Sequence, residues 1–136
     1  MLDHSGLQEH LGLDTCADLF LPRGELAHFT SAFYYPVFVN GTNYSGTSDI
    51  LRTRLLRYCV DTMPAEEARQ LPGAVWIPME PQPAKASRHL VVQGLIDPMK
   101  ILDGRPHLSG ANAERVAFFL GRKARAALSS RLRLGR

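Results

Sequence analysis

Short apolar runs alternate with helical patterns along this chain, and this alternation constrains the fold more than any other feature. Residues 74–79 (AVWIPM) are a continuous apolar run, typical of a strand that is covered on both faces. A β-prone run at 27–33 precedes it, and a third strand candidate at 99–102 follows it. Because helical patterns lie between and after these runs, the order predicts an α/β fold with helices packed on a parallel sheet.

Capping and helix-breaking residues place the helices. Residues 47–49 (TSD) open the first helix with side chains that can cap free N–H groups, and Pro64 breaks it and starts a short second one. Further helices are predicted at 83–93 and 112–120, each followed by a glycine.

The length and the composition limit the classes of protein to which the chain belongs. With 136 residues, 45% hydrophobic and 21% charged, it has the composition of one globular domain. It contains no apolar run of about 18 residues and no secretory leader, so we expect no membrane partner. Cys16 and Cys59 form no CxxC pair, which indicates a reducing, cytoplasmic location, and no metal-binding motif is present.

Positive charge is concentrated at the C-terminus. Residues 122–136 carry six basic side chains and no acidic one, while the rest of the chain carries 10 basic and 13 acidic residues. Such a segment is either a phosphate-binding arm or a solvated, frayed end. We therefore divide the chain into a domain at 1–121 and a basic tail at 122–136.

Two polar, glycine-containing loops follow predicted strands, where the working sites of parallel α/β folds lie. The loop at 34–46 mixes aromatic side chains with Asn, Ser and Gly, so it either stacks on nucleobases or packs into the core. The loop at 103–110 places His107 just before a helix. That imidazole either donates a hydrogen bond to developing negative charge or makes one structural hydrogen bond.

These two loops, in this order, resemble the uracil-DNA glycosylase superfamily. Residues 106–115 (PHLSGANAER) resemble the (H)PSGAN-x-x-R motif that precedes the last helix of its bacterial members. Residues 30–41 (TSAFYYPVFVNG) look like the family's strand and loop that line the base pocket, and the similarity covers roughly 11–125. The resemblance implies a three-layer α/β/α fold with a short parallel sheet, from which the first strand and the first motif are missing in this chain.

The resemblance also implies base excision in DNA. A uracil-type base is flipped out of the DNA, and its N-glycosidic bond is hydrolysed without a cofactor or a metal. His107 matches the motif histidine that stabilises charge on the leaving base, so it is the expected catalytic residue. The expected base pocket contains Ser31, Tyr35 and Asn40. The expected DNA-binding residues are Ser109, Gly110, Asn112, Arg115, Arg122 and Lys123.

Three departures from the family pattern leave catalysis open. No candidate for the water-positioning motif precedes residue 11, Leu108 replaces a proline that stiffens the loop, and Ser31 replaces an asparagine. General-base help is worth about 10²–10⁴-fold in rate. The alternatives are a non-catalytic DNA-binding module and an inactive truncated fragment. A missing inner strand also predicts self-association through an uncovered sheet edge.

Overall fold

The structure, a computed structural model, describes residues 1–46, 48–107 and 109–133, without the side chains of Arg131 and Arg133. Thr47 of the predicted helix cap and Leu108 of the predicted motif lie outside these residues, as does the end of the basic tail at 134–136. The α-helices are α1 (Leu7–Leu11), α2 (Arg54–Gln70), α3 (Pro81–Val92), α4 (Ala113–Phe119) and α5 (Ser130–Arg133). The strands are β1 (Phe38–Val39) and β2 (Thr42–Asn43). Single 3-10 turns lie at Asp3–Ser5, Cys16–Phe20, Gly24–Leu26, Pro98–Lys100, Gly110–Asn112 and Arg125–Ala127.

The chain forms two compact units. One is continuous, Thr30–His107, and holds α2, α3 and both strands. The other joins Met1–Phe29 to the described part of Leu108–Arg136, with α1, α4 and α5. The sequence-based division at residue 121 and the expected self-association stay predictions.

The core of the Thr30–His107 unit is built on α2 and α3. Leu56 and Val60 of α2 and Leu90 of α3 are almost fully buried, and Ile50 ahead of α2 is 0% exposed. Phe33, Val37, Tyr44, Trp76 and Ile101 pack around this cluster. Gln82 of α3 ties the preceding loop to the core, because its side-chain oxygen accepts from the Ile50 N–H at 3.2 Å and its amide nitrogen donates to the Gly46 carbonyl at 3.1 Å.

The predicted bounds of α2 are wrong at both ends. Asp49 does not open the helix: its carboxylate accepts from the N–H groups of Leu51 and Arg52 in a turn, and α2 begins only at Arg54. Pro64 does not break it either, and lies buried inside α2. Burial of this turn with Ala65 outweighs the lost hydrogen bond of the proline.

The predicted three-layer parallel sheet is also wrong for the described residues. Their regular sheet is the antiparallel pair of β1 and β2, and parallel pairing is limited to isolated bridges between Trp76 and Ile101 and between Met79 and Arg105. Pro78 explains the gap between the two bridges, because it has no N–H to donate to the next carbonyl of the ladder. The coarser prediction of a mixed helical and strand fold is confirmed.

A tight hairpin occupies the loop that was predicted at 34–46. Asn40 and Gly41 connect β1 to β2 with φ of +50° and +76°. Two left-handed residues form the turn whose twist matches that of paired strands. The Asn40-Gly41 pair is therefore a hairpin tip within the predicted loop.

The later helices follow their sequence signals closely. α3 ends before Gly94 and α4 ends before Gly121, and both glycines have positive φ. In the part of the chain that is described, no helix has both the length and the apolar character needed to cross a membrane.

The first testable consequence concerns the α2–α3 core. Leu90→Ala removes a side chain that is 1% exposed, and we expect it to lower the free energy of unfolding by about 2–5 kcal/mol in urea denaturation. Val92→Ala on the same helix, 86% exposed, is the matched control and should change it by less than about 0.5 kcal/mol. Equal losses for the two variants would contradict this core.

Candidate functional site

Two chain segments in the Thr30–His107 unit run parallel and end side by side. The Trp76 N–H donates to the Lys100 carbonyl at 2.7 Å, and the Leu102 N–H donates to the Trp76 carbonyl at 2.8 Å. Further along, the Glu80 N–H donates to the Arg105 carbonyl at 3.1 Å. The carboxyl ends of both segments therefore meet at Glu80 and at residues 105–107.

Glu80 holds the backbone of His107. Its Oε1 atom accepts a hydrogen bond from the His107 N–H at 3.2 Å. Glu80 itself has φ of +90° and ψ of 158°, a region that is nearly restricted to glycine. Such a conformation costs about 1–3 kcal/mol, and strain of this kind concentrates at functional sites.

The side chains of His107 and Arg105 lie on the segment that pairs with Glu80. The His107 side chain is exposed. Arg105 donates from Nη1 to the Leu102 carbonyl at 2.8 Å. In an uninterrupted parallel ladder this carbonyl would accept from the N–H of residue 78, but residue 78 is a proline and has no N–H. The Nε atom of Arg105 is buried and has no hydrogen-bond partner within the described part of the chain.

The three predicted base-pocket residues are all exposed in the same unit as His107. The Ser31 hydroxyl accepts from the Phe33 N–H at 3.3 Å, and Tyr35 is 71% exposed. Asn40 is a turn residue at the hairpin tip. Each has its own local surroundings, and their assignment to a base pocket stays a prediction.

Three of the predicted DNA-binding residues form one polar cluster in the other unit. Asn112 donates from its side-chain amide to the Ser109 hydroxyl at 3.1 Å, and Arg115 donates to the Asn112 side-chain oxygen at 3.4 Å. Gly110 is exposed and begins the 3-10 turn that leads into α4. The motif at 106–115 is thus divided, with His107 in one unit and this cluster in the other.

Glu114 engages the predicted DNA-binding residue Lys123. The Lys123 ammonium lies 2.7 Å from the Glu114 carboxylate, which also accepts from the N–H and the hydroxyl of Ser129, each at 2.7 Å. These contacts fasten the start of the predicted basic tail to α4. Arg122 is exposed beside them.

Sequence reasoning missed two polar groups that the structure places on α3 or at its start. The sequence signal for Glu80 is its place between a predicted strand and a proline that starts a helix.

The second group is His89 of α3. It lies 2.6 Å from Asp61 of α2, which also accepts from Gln93 at 2.8 Å. Burial opposes ionisation of Asp61, but the hydrogen bonds from His89 and Gln93 keep its pKa below the usual value.

The remaining reactive groups do not form a second centre among the described residues. No group of three or more His, Cys, Asp and Glu side chains there could hold a metal ion. Burial, followed by a hydrogen bond with Asp3, raises the pKa of the Cys16 thiol to about 11. Cys16 is therefore protonated at neutral pH and is a poor nucleophile.

Comparison with known proteins gives one curated relative. The chain is 32% identical over 121 residues to the uncharacterised protein YoxB of Bacillus subtilis (strain 168), an alignment covering 88% of this chain and 47% of the relative. The chain thus spans about half the length of the curated relative it matches. No protein-family model matches the chain, and no solved structure does.

The strain at Glu80 is testable with variants that differ only in the Cβ atom. Glu80→Gly and Glu80→Ala both remove the carboxylate, but only Gly relaxes the backbone at φ of +90°. We expect the Gly variant to be about 1 kcal/mol more stable than the Ala variant in urea denaturation.

Hydrogen exchange of the His107 N–H tests the contact of the carboxylate separately. Exchange should stay slow in Glu80→Gln, which keeps an acceptor, and should accelerate in Glu80→Gly and Glu80→Ala. An Ala variant as stable as the Gly variant would contradict the strain.

The Glu114 contact gives a pH dependence. Hydrogen bonds from Lys123 and Ser129 lower the pKa of Glu114 from 4.5 to about 2. A group whose pKa falls on folding stabilises the fold above its unfolded pKa, and this contribution disappears as the pH drops from about 4.5 to about 2. The difference in Tm between wild type and Glu114→Gln should be largest above about pH 5 and vanish near pH 2. Asp14→Asn, which removes a carboxyl outside this contact, is the control. A pH-independent difference would rule the contact out.

Proposed function

We propose that this chain recognises an extruded uracil-type base in DNA and hydrolyses its N-glycosidic bond, the first step of base excision. The observation that carries the proposal is the position of His107, exposed at the carboxyl ends of two parallel segments with its N–H held by Glu80. The resemblance of residues 106–115 to the family motif supports the same histidine.

His107 is the proposed catalytic residue because the base leaves as an anion. A hydrogen-bond donor that already faces the developing charge lowers the barrier without reorganising in the transition state. Glu80 provides that preorganisation at the backbone: its N–H holds the Arg105 carbonyl, and its carboxylate holds the His107 N–H. We assign Glu80 as a positioning residue, since its contacts act through the loop that carries the imidazole.

The other predicted residues keep proposed roles in binding. Ser31, Tyr35 and Asn40 are proposed to face the base, and the Ser109–Asn112–Arg115 cluster, with Gly110, is proposed to contact the DNA strand. Arg122 adds an exposed positive charge, whereas Lys123 must exchange Glu114 for a phosphate in order to take part. The free thiols Cys16 and Cys59 support placing this activity in the cytoplasm.

A non-catalytic DNA-binding module is the second candidate. The polar cluster at Ser109, Asn112 and Arg115 favours it, because these groups can hold phosphates without any chemistry at the base. It differs from the first candidate by binding DNA with no release of a base.

Single-turnover release of uracil from single- and double-stranded oligonucleotides tests the proposal. His107→Ala should lower the rate constant by about 10²–10⁴-fold, since it removes the proposed donor. Glu80→Ala should lower the rate constant with a smaller change in DNA affinity, and Glu80→Gln should restore much of it. His10→Ala removes an exposed histidine of the other unit and is the control. Release that is unchanged in His107→Ala would refute the assigned role, and binding without release would favour the second candidate.

A further inference from the structure

Two arginines lie at the start of α2, Arg54 as its first residue and Arg52 two residues before it, and the fold leaves their charge uncompensated. Arg52 and Arg54 are exposed, and neither guanidinium has a hydrogen bond or an ion pair with any part of the chain that the structure describes. Arg57, one turn further along, differs because it lies 3.5 Å from Asp61.

The nearby carboxylates are already occupied. Asp49 forms an ion pair with Lys85 of α3 and accepts from the N–H groups of Leu51 and Arg52. Asp61 is engaged by His89, Gln93 and Arg57. Both acids that flank the two arginines are therefore engaged by α3, by the backbone or by Arg57, and the positive charge of Arg52 and Arg54 faces solvent.

Two large apolar side chains are exposed beside these charges. Leu55 is 63% exposed and Tyr58 is 64% exposed. Arg54 and Tyr58 are four residues apart on α2, and Leu55 and Tyr58 are three apart, so these side chains are neighbours on one helical face. The face thus combines uncompensated arginine with an aromatic ring that is free on most of its surface.

We propose that Arg52, Arg54, Leu55 and Tyr58 form a binding surface for single-stranded DNA, here called the α2 surface. Guanidinium groups pair with phosphates, and exposed aromatic rings stack on unpaired bases of any sequence. Charge complementarity favours a polyanion, because a second copy of the same face would bring arginine against arginine. Single-stranded DNA offers both groups their partners, since each nucleotide carries a phosphate for the arginines and an unpaired base for Tyr58. The choice of DNA as the polyanion rests on the proposed function, but the surface shares no residue with the proposed His107 site.

Salt-dependent binding of a fluorescent oligothymidine to the full chain tests the surface. Arg52→Gln/Arg54→Gln removes two phosphate contacts and should reduce the slope of log K against log salt by about 1.4, with affinity falling roughly 25-fold at about 0.1 M salt. Tyr58→Leu keeps an apolar side chain but removes stacking, and should weaken binding by about 5- to 150-fold.

Arg69→Gln/Arg88→Gln is the matched control. It removes the same charge from the same unit, but from arginines that are paired with Glu66 and Asp103. A slope and an affinity equal to those of this control would overturn the proposal, as would a wild-type chain that does not bind the oligonucleotide. Loss of affinity in Arg52→Gln/Arg54→Gln without loss in Tyr58→Leu would overturn the stacking part of the proposal, because it would leave phosphate contacts as the source of binding.

The two proposals can fail separately. If uracil is released but the α2 variants bind like the control, the surface is wrong and the base-excision proposal stands. If no uracil is released but the α2 variants lose the oligonucleotide, the surface stands without base excision. Thermal unfolding of each variant checks that these exposed substitutions leave the fold intact.

Discussion

The parallel pairing of residues 76–80 with residues 100–107 is the interaction on which the candidate site depends. It joins segments that are more than twenty residues apart in sequence and brings Glu80 to the backbone of His107. Pro78 interrupts the pairing, and the chain compensates locally because Arg105 occupies the Leu102 carbonyl. In a full parallel ladder the Leu102 carbonyl would accept from a backbone N–H. In the interrupted ladder the Arg105 guanidinium takes that place, and the Glu80 carboxylate accepts from the backbone of His107 at the end of the same segment.

Carboxylates organise the polar contacts of both units. Asp49 and Asp61 bind α3, and Glu114 binds the segment that follows α4. Each of these carboxylates binds a basic side chain or several N–H groups near it. The positive charge of the surface is therefore carried by the basic side chains that have no carboxylate partner. In the Thr30–His107 unit the remaining charge includes Arg52 and Arg54 at the start of α2. The formal net charge is only +3, but the positive charge is distributed unevenly over the surface.

What the sequence predicted well was local. The ends of α3 and α4 are set by glycines that adopt positive φ, and the Asn40-Gly41 turn follows from the same property. What it predicted poorly depended on distant contacts. The continuation of α2 through Pro64 reflects burial in the core, and the gap between the two parallel bridges reflects the missing N–H of Pro78. The positive φ of Glu80 was missed because glutamate, unlike glycine or asparagine, is not a residue type that favours positive φ.

The hairpin tip at Asn40-Gly41 has a practical consequence for experiments on this chain. Both residues are exposed, and a Cβ atom built on Gly41 would meet no other atom within 4 Å. Exposed tips that lack tertiary contacts accept added peptide with little disturbance of the surrounding domain. An epitope tag or a spectroscopic reporter inserted there would therefore leave the interior packing of the Thr30–His107 unit undisturbed, but it would displace Asn40, one of the three residues proposed to face the base.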